Sequence, residues 1–253
     1  MTRSIVFTNR KGGAGKTTSA VNVAAAFAHM GSQVLLVDTD PQAHATMCFS
    51  IEQTSLVSDL SAVLRGEAEL GKTIVRTKTP RLSLLPSSRR LASYERLHAG
   101  DREARTRLSA LLRPEIGRFD FVCFDTPPTS GLLTVQALVA ANEAYIPMQS
   151  HFLAMEGMIE IVELVAQVRK HYNPELSVKG IIPTFVGENK EISKQIMDEV
   201  EAELGEGIFL KPVRLNESLA EAPGFGKTVF QYNIQSKGAL DYYRVAQEIS
   251  DRR

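Results

Sequence analysis

An α/β fold, doubly wound around a mostly parallel sheet with helices on both faces, is predicted for this chain of 253 residues by three observations. Short apolar runs of strand length alternate with longer amphipathic stretches of helix length along the whole chain. The first apolar run leads into a glycine-rich turn and then into a stretch with helical spacing. Two further apolar runs end in aspartates, which places polar chemistry at the carboxyl ends of the strands.

Taken in order, residues 4–8 (Ser-Ile-Val-Phe-Thr) read as a buried strand and 17–30, rich in small and apolar residues, as the helix that follows. Strand 33–37 and helix 57–65 come next. Pro80 and the Ser87-Ser88 turn mark loops on either side of strand 82–85. The rest alternates as helix 91–113, strand 119–124, helix 131–141, strand 144–148, helix 155–171, strand 178–184, helix 190–204, strand 208–210 and helix 236–250. No linker, repeat or low-complexity tract interrupts this order, so a single domain spanning 1–253 is expected.

Composition removes several classes. The apolar fraction of 43% is ordinary for a globular chain, and no run of eighteen apolar residues is present to span a membrane. The first strand follows Met1 at once, leaving no room for a signal peptide, so a soluble cytoplasmic protein is expected. Cys48 and Cys123 are too few for a disulfide framework and lack metal-ligand spacing; Cys123 reads as a small buried residue. Net charge is zero, which is not the footprint of a strong nucleic-acid binder. Residues 65–118 nonetheless hold thirteen Lys/Arg against six Asp/Glu. The plain reading of that local excess of seven is a set of solvated helix faces; the sharper one is a surface for DNA or another acidic partner.

The turn after the first strand is Lys11-Gly12-Gly13-Ala14-Gly15-Lys16-Thr17-Thr18. The general phosphate-loop pattern G-x-x-x-x-G-K-[ST] requires glycine where Arg10 stands, so this loop is deviant. It remains chemically sufficient. Gly12, Gly13 and Gly15 let backbone N–H groups approach phosphate oxygens, Lys16 supplies charge to the β and γ phosphates, and Thr17 offers a hydroxyl to Mg²⁺. In Val34-Leu35-Leu36-Val37-Asp38-Thr39-Asp40-Pro41-Gln42 a buried strand ends in two carboxylates, which can reach the metal shell and the attacking water. In 119–128 (Phe-Asp-Phe-Val-Cys-Phe-Asp-Thr-Pro-Pro) the aspartate closing the strand, Asp125, takes the position that holds Mg²⁺ in nucleotide-hydrolysing phosphate-loop proteins. Asp120, at the strand's entry, reads as a turn or surface acid.

With KGGAGKTT, VLLVDTDPQAHAT, FDFVCFDTPP and the final LAEAPGFGKTVFQYNIQSKGALDYYRVAQEI in the same order, the chain resembles the ParA/MinD family of deviant phosphate-loop ATPases, and more closely its ParA branch of chromosome and plasmid partition proteins. The resemblance implies ATP and Mg²⁺ as cofactors, with the site drawn from Lys11, Gly12, Gly13, Ala14, Gly15, Lys16, Thr17 and Thr18. It implies that Lys11 reaches across an ATP-dependent homodimer to the partner's phosphates, that Asp40 positions or activates the hydrolytic water, and that Thr17, Asp38 and Asp125 surround Mg²⁺. Thr126-Pro127-Pro128 resembles the family's γ-phosphate-sensing segment, and the stretch containing Arg214 resembles one near the nucleotide base and the DNA-facing surface.

The family's output would be ATP-dependent dimerisation, nonspecific binding of double-stranded DNA and release through hydrolysis stimulated by a ParB-like adaptor, in a cytoplasmic, nucleoid-associated protein. Its cargo would be a chromosome or plasmid or, alternatively, a protein assembly such as a carboxysome or chemoreceptor cluster. Ser218 stands where chromosomal members often carry arginine, leaving Lys190, Lys194, Arg214, Lys227 and Lys237 as basic candidates, with Glu188, Glu191, Asp198, Glu199, Glu201 and Glu203 diluting any positive surface around helix 190–204. The C-terminal stretch has too many acids and too few lysines for a membrane-surface helix of the MinD type. No cysteine is placed as a cluster ligand, which disfavours an iron-protein reductase. A metabolic enzyme of the dethiobiotin-synthetase type is the alternative from another class, and Lys11 and SKGALDYY argue against it. A regulator that binds ATP without turnover is disfavoured by Asp38, Asp40 and Asp125.

Overall fold

The computed structural model describes residues 2–149, 154–187 and 194–252. Seven strands, β1 Arg3–Phe7, β2 Val34–Asp38, β3 Val75–Arg76, β4 Leu82–Leu85, β5 Phe121–Asp125, β6 Glu143–Gln149 and β7 Ser177–Thr184, form one sheet in the order β3-β4-β2-β5-β1-β6-β7. All neighbours are parallel except β3, which lies antiparallel to β4. The helices are α1 Lys16–His29, α2 His44–Met47, α3 Leu60–Arg65, α4 Leu70–Thr73, α5 Arg90–His98, α6 Ala104–Leu112, α7 Leu132–Ala140, α8 Ala154–His171, α9 Lys194–Leu204, α10 Glu217–Glu221, α11 Val229–Asn233 and α12 Lys237–Asp251.

Alternate residues of each central strand feed two cores, which explains why the strands read as unbroken apolar runs. On one face Val6, Leu35, Val37, Val122 and Phe124 pack under the helices from α3 to α8. On the other, Ile5, Phe7, Val34, Leu36 and Phe121 pack against α1 and α12, with the Phe27 and Phe121 rings stacked 3.9 Å apart. Chain order along the sheet switches at β1, since β1 connects through α1 to β2 while β5 is inserted between them. The carboxyl ends of β1, β2 and β5 therefore meet at one crevice.

Several expected elements change. The expected helix 91–113 is two helices, broken at Gly100-Asp101, where the Asp101 carboxylate accepts the Glu103 N–H (2.8 Å) and starts a new turn. The expected strand 208–210 is no strand: only isolated bridges join Ile181 to Phe209 and Val186 to Arg214. Pro212 lacks an N–H, and Arg252 reaches the carbonyls of Lys179, Gly207 and Phe209. Helix 57–65 begins only at Leu60, because Asp59 caps it by accepting the Ala62 N–H. The start of the expected helix 190–204 lies outside the described residues, as do Glu188, Lys190 and Glu191. Elements β3, α2, α4, α10 and α11, each five residues or fewer, were not expected, being too short to show a hydrophobic period.

Candidate functional site

The phosphate loop leaves β1 and enters α1 through two backbone positions that only glycine adopts without strain, Gly13 (φ 75°) and Gly15 (φ 88°). A Cβ at Gly15 would also crowd the Thr184 methyl at 3.2 Å. No side chain caps the first turn of α1, so its N–H groups remain available to an anion. The loop's carbonyls, in contrast, are tied down from neighbouring strands. Gln149 Nε2 donates to the Gly13 carbonyl (2.9 Å) and Thr184 Oγ1 to that of Ala14 (2.9 Å). Buried Asn9 accepts the Lys11 N–H (3.0 Å) while donating to the Pro147 carbonyl (2.8 Å). With its oxygens turned to the protein, the loop presents N–H groups to the crevice. Arg10, at the position where the general pattern has glycine, pairs with Glu160 of α8 at 2.5 Å.

Lys16 is buried, and among the described residues its Nζ donates to the Lys11 carbonyl (3.2 Å). No carboxylate of the described residues ion-pairs with it, and burial lowers its pKa against the opposing fields of Asp125 and Asp40. A buried ammonium in this position is completed by an anionic ligand. Lys11 is half-buried, and its ammonium has no carboxylate partner among the described residues.

The β2 and β5 ends stand side by side, with Asp38 in register with Asp125 and both fully buried. Asp38 is saturated: Oδ2 accepts from Thr46 N (2.8 Å) and Thr46 Oγ1 (2.7 Å), and Oδ1 from Asp40 N (3.1 Å). Burial pushes its carboxyl up to about 7 despite those donors. Neither oxygen of Asp125 has a hydrogen-bond partner among the described residues. The Thr17 hydroxyl is near enough to favour its ionised form without meeting hydrogen-bond geometry. Burial, followed by the charge of Asp38, holds the Asp125 carboxyl well above the ordinary range. An orphaned carboxylate beside a threonine hydroxyl and a phosphate loop is the donor set that a hard divalent cation completes, so these residues fit Mg²⁺.

Asp40 lies at the same crevice, its Oδ1 accepting the Gln42 N–H (2.8 Å) and its carbonyl the Ser87 hydroxyl (2.6 Å). Thr39 and Thr126 hydrogen-bond to the Asp125 and Phe7 carbonyls (2.6 and 2.9 Å), which locks the three strand ends together. Thr17 and Thr18, at the start of α1, line a cavity of about 370 Å³ with His44, Met47 and Lys227.

Arg214 lies farther round, lining a small cavity with Thr18, Thr184 and Asn216. Its guanidinium grips Asp241 of α12 through two hydrogen bonds (2.9 and 2.6 Å). That pairing spends its charge inside the protein. Ser218 is buried, and its hydroxyl accepts from the Asn233 amide at 3.4 Å. The structure thus gathers Lys11 to Thr18, Asp38, Asp40 and Asp125 at one crevice, with Arg214 on its flank. Sequence reading missed Asn9, Thr46, Ser87, Gln149 and Thr184. Of these, Asn9, Gln149 and Thr184 carry a signal, as polar residues at or just past the ends of expected apolar strands.

A parallel sheet switching at β1, with a deviant phosphate loop and two strand-end aspartates, defines a phosphate-loop ATPase. The family model described as AAA domain matches residues 2–178. The chromosome partitioning protein ParA of Caulobacter vibrioides is 33% identical over 99% of this chain and 94% of its own length. The chromosome-partitioning ATPase Soj of Thermus thermophilus is 37% identical over 99% and 96%. Among solved structures, cobyrinic acid a,c-diamide synthase from Mycobacterium smegmatis, with bound ATP analog and magnesium, superposes with a TM-score of 0.86 at 29% identity, covering 99% of this chain and 94% of that one. The chain belongs to the ParA/MinD family, on the side of the ParA and Soj partition ATPases. Membership makes it an ATPase with ATP and Mg²⁺ as cofactors, and the crevice fits both. No helix among the described residues is long and apolar enough to cross a membrane.

Proposed function

We propose that the chain is a nucleotide-switched partition ATPase that forms a homodimer on ATP, holds double-stranded DNA without sequence preference in that state, and lets go when an adaptor of the ParB kind stimulates hydrolysis. The observation that carries this reading is Lys11, a cation at the mouth of the phosphate loop with no acid of the described residues to pair with, on a backbone fixed by Asn9. Its ammonium is suited to phosphates brought by a second subunit, where it offsets charge developing in hydrolysis. Thr17 and Asp125 would hold Mg²⁺, whose bound charge neutralises the phosphates. Lys16 and the N–H groups of Gly12, Gly13, Ala14, Gly15, Lys16, Thr17 and Thr18 bind the phosphates, and Asp40 orients the attacking water. Asp38 acts behind them, holding Asp40 N–H and α2 in place. Arg214 shapes the nucleotide flank through Asp241. The full-length similarity to ParA and Soj supports partition as the output and the cytoplasm, on nucleoid DNA, as the place.

Light scattering and gel retardation of duplex DNA, each with ADP and with a nonhydrolysable ATP analogue, test the switch. Dimer and retarded DNA are expected with the analogue only, and the DNA affinity should fall with log[salt] by about 0.9 per phosphate contacted. Lys11→Ala should bind nucleotide yet stay monomeric, and Asp40→Ala should remain dimeric in ATP. A Lys11→Ala chain that dimerises as the parent does removes the trans role. A small-molecule synthase reading draws on the Mycobacterium smegmatis relative alone; ATP turnover that rises with a carboxylic substrate, in a chain that never dimerises, would establish it instead.

A further inference from the structure

The local excess of positive charge between residues 65 and 118 plays no part in the phosphate crevice. Three of its six acids are used by near neighbours: Glu67 pairs with Arg65 (2.7 Å), Glu69 with Lys72 (3.0 Å) and Glu115 with Arg118. Of the basic residues that remain, Arg90, Arg96, Arg105 and Arg107 lie on α5 and α6 and Arg102 between them, beside a groove of about 880 Å³ between those helices and α7 and α8. Leu132 and Val135 of α7 and Leu164 and Val168 of α8 give the groove an apolar floor, and Arg96, Arg102 and Arg105 line its side. Arg105 is already placed: its guanidinium lies over the Tyr172 ring, 5.6 Å from the centroid, and donates to the Tyr172 hydroxyl. Arg96 and Arg102 are exposed, and no carboxylate of the described residues pairs with either.

Of the acids nearby, Glu95 and Asp101 accept backbone N–H groups, while Glu103 is exposed beside Arg102. Glu95, which lines the groove, accepts the Leu133 N–H in the first turn of α7 (3.3 Å), its carboxylate lying against Gly131. Asp101 accepts the Glu103 N–H and faces His98 at 3.6 Å. The groove therefore combines an apolar floor with three guanidinium groups against the single carboxylate of Glu95, and Arg96 and Arg102 have no ion-pairing carboxylate among the described residues.

We propose that this groove docks a short acidic segment of a partner protein, one that sets one or two large apolar side chains on the floor and carboxylates against Arg96 and Arg102. Planar guanidinium forks match carboxylates in pairs, and burial of an apolar anchor between them supplies the affinity that exposed charge alone does not. A DNA duplex is the poorer occupant. Its phosphates would engage the arginines but leave the apolar floor uncovered.

Panning the full-length chain against a library of short random peptides, then measuring enriched peptides by fluorescence anisotropy at low and high salt, tests this. Enriched sequences should combine acids with large apolar residues, and their binding should weaken with salt. The double variant Arg96→Glu/Arg102→Glu should bind them about ten-fold or more weakly, and Val135→Asp should do the same by spoiling the floor. The double variant changes only exposed side chains, so unchanged Mg²⁺-ATP hydrolysis certifies its fold. The proposal is overturned by an absence of enriched peptides, by enrichment of neutral or basic ones, or by affinity that ignores the charge reversal. It is equally overturned if the reversal instead abolishes retardation of duplex DNA, which would make the groove a nucleic-acid surface.

Discussion

The ends of β2 and β5 look alike in sequence, each an apolar run closed by aspartate, and the structure sets those aspartates side by side. Their surroundings are opposite. Asp38 receives three hydrogen bonds from Thr46 and Asp40, whereas Asp125 receives none from the described residues. A buried carboxylate furnished with donors is a fastener, and here it ties β2 to α2 and to the loop bearing Asp40. A buried carboxylate left bare is costly until a cation arrives, so its cost is recovered only in the liganded state. Two adjacent strand ends thus differ, the β2 end fastened to α2 and the β5 end carrying a bare carboxylate that fits a cation.

The largest expected effect separates the two. Asp125→Ala should lower Mg²⁺-dependent ATP turnover by about 10²-fold or more, the scale of losing one aimed electrostatic partner of a transition state. In nucleotide-free protein the order should reverse. Asp125→Asn removes an unpaired buried carboxylate and should raise Tm, while Asp38→Asn leaves Thr46 donors mismatched and should lower it. Scanning calorimetry of both variants decides, and shifts of the same sign would erase the distinction.

Next comes the pH dependence of stability without nucleotide or metal. Burial pushes the Asp38 carboxyl up to about 7, against about 3.9 in an unfolded chain. The folded state then binds more protons between those values. Its stability from this group is fully present below about 3.9, declines as pH rises towards about 7 and is flat above. The slope cannot exceed about 1.4 kcal/mol per pH unit for this carboxylate. Urea unfolding of parent and Asp38→Asn across that window should show the steeper decline in the parent, since Asp125, also held above the ordinary carboxyl range, remains in the variant. A parent curve that rises relative to the variant contradicts the burial argument.

Thr46→Val removes the hydroxyl that donates to Asp38 and accepts the Ser87 N–H at 3.0 Å. Leaving buried partners unsatisfied costs about 1–3 kcal/mol, or roughly 2–4 °C of Tm per kcal/mol in a domain of this size. Turnover should suffer less than in Asp125→Ala. Equal losses of turnover would mean that the β2 end also acts directly on the reaction.

Much of this was legible in the sequence because it is local. Strands buried on both faces read as apolar runs, a phosphate loop is contiguous, and Asp38, Asp40 and Asp125 stand out as acids ending such runs. What sequence concealed is what depends on distant partners. Ser87 meets Thr46 and Asp40 across 41 and 47 residues, and Gln149 reaches Gly13 across 136. No spacing reports such contacts, so the sequence could not show that Asp38 is ringed by donors while Asp125 is bare among the described residues. The two-residue β3 is too short to show a period, and the break inside 91–113 rests on a single Gly-Asp turn within good helical spacing.

The smallest expected effect probes the far end of the β2 fastening. Ser87 is fully buried, and its hydroxyl donates to the Asp40 carbonyl at 2.6 Å, while its N–H is held by Thr46. Ser87→Ala keeps the N–H contact and removes only the hydroxyl, leaving one buried carbonyl short of a donor. The expected loss is about 1 kcal/mol of stability, with nucleotide affinity unchanged because no phosphate-binding group moves. Turnover is the discriminating measurement. If the Ser87 bond serves only to hold the loop, hydrolysis should fall less than ten-fold, about 1.4 kcal/mol, in step with stability. A fall as large as that of Asp125→Ala, at unchanged Tm, would show that the placement of Asp40 depends on Ser87 more than on Asp38, and the β2 end would then have two fasteners of unequal weight.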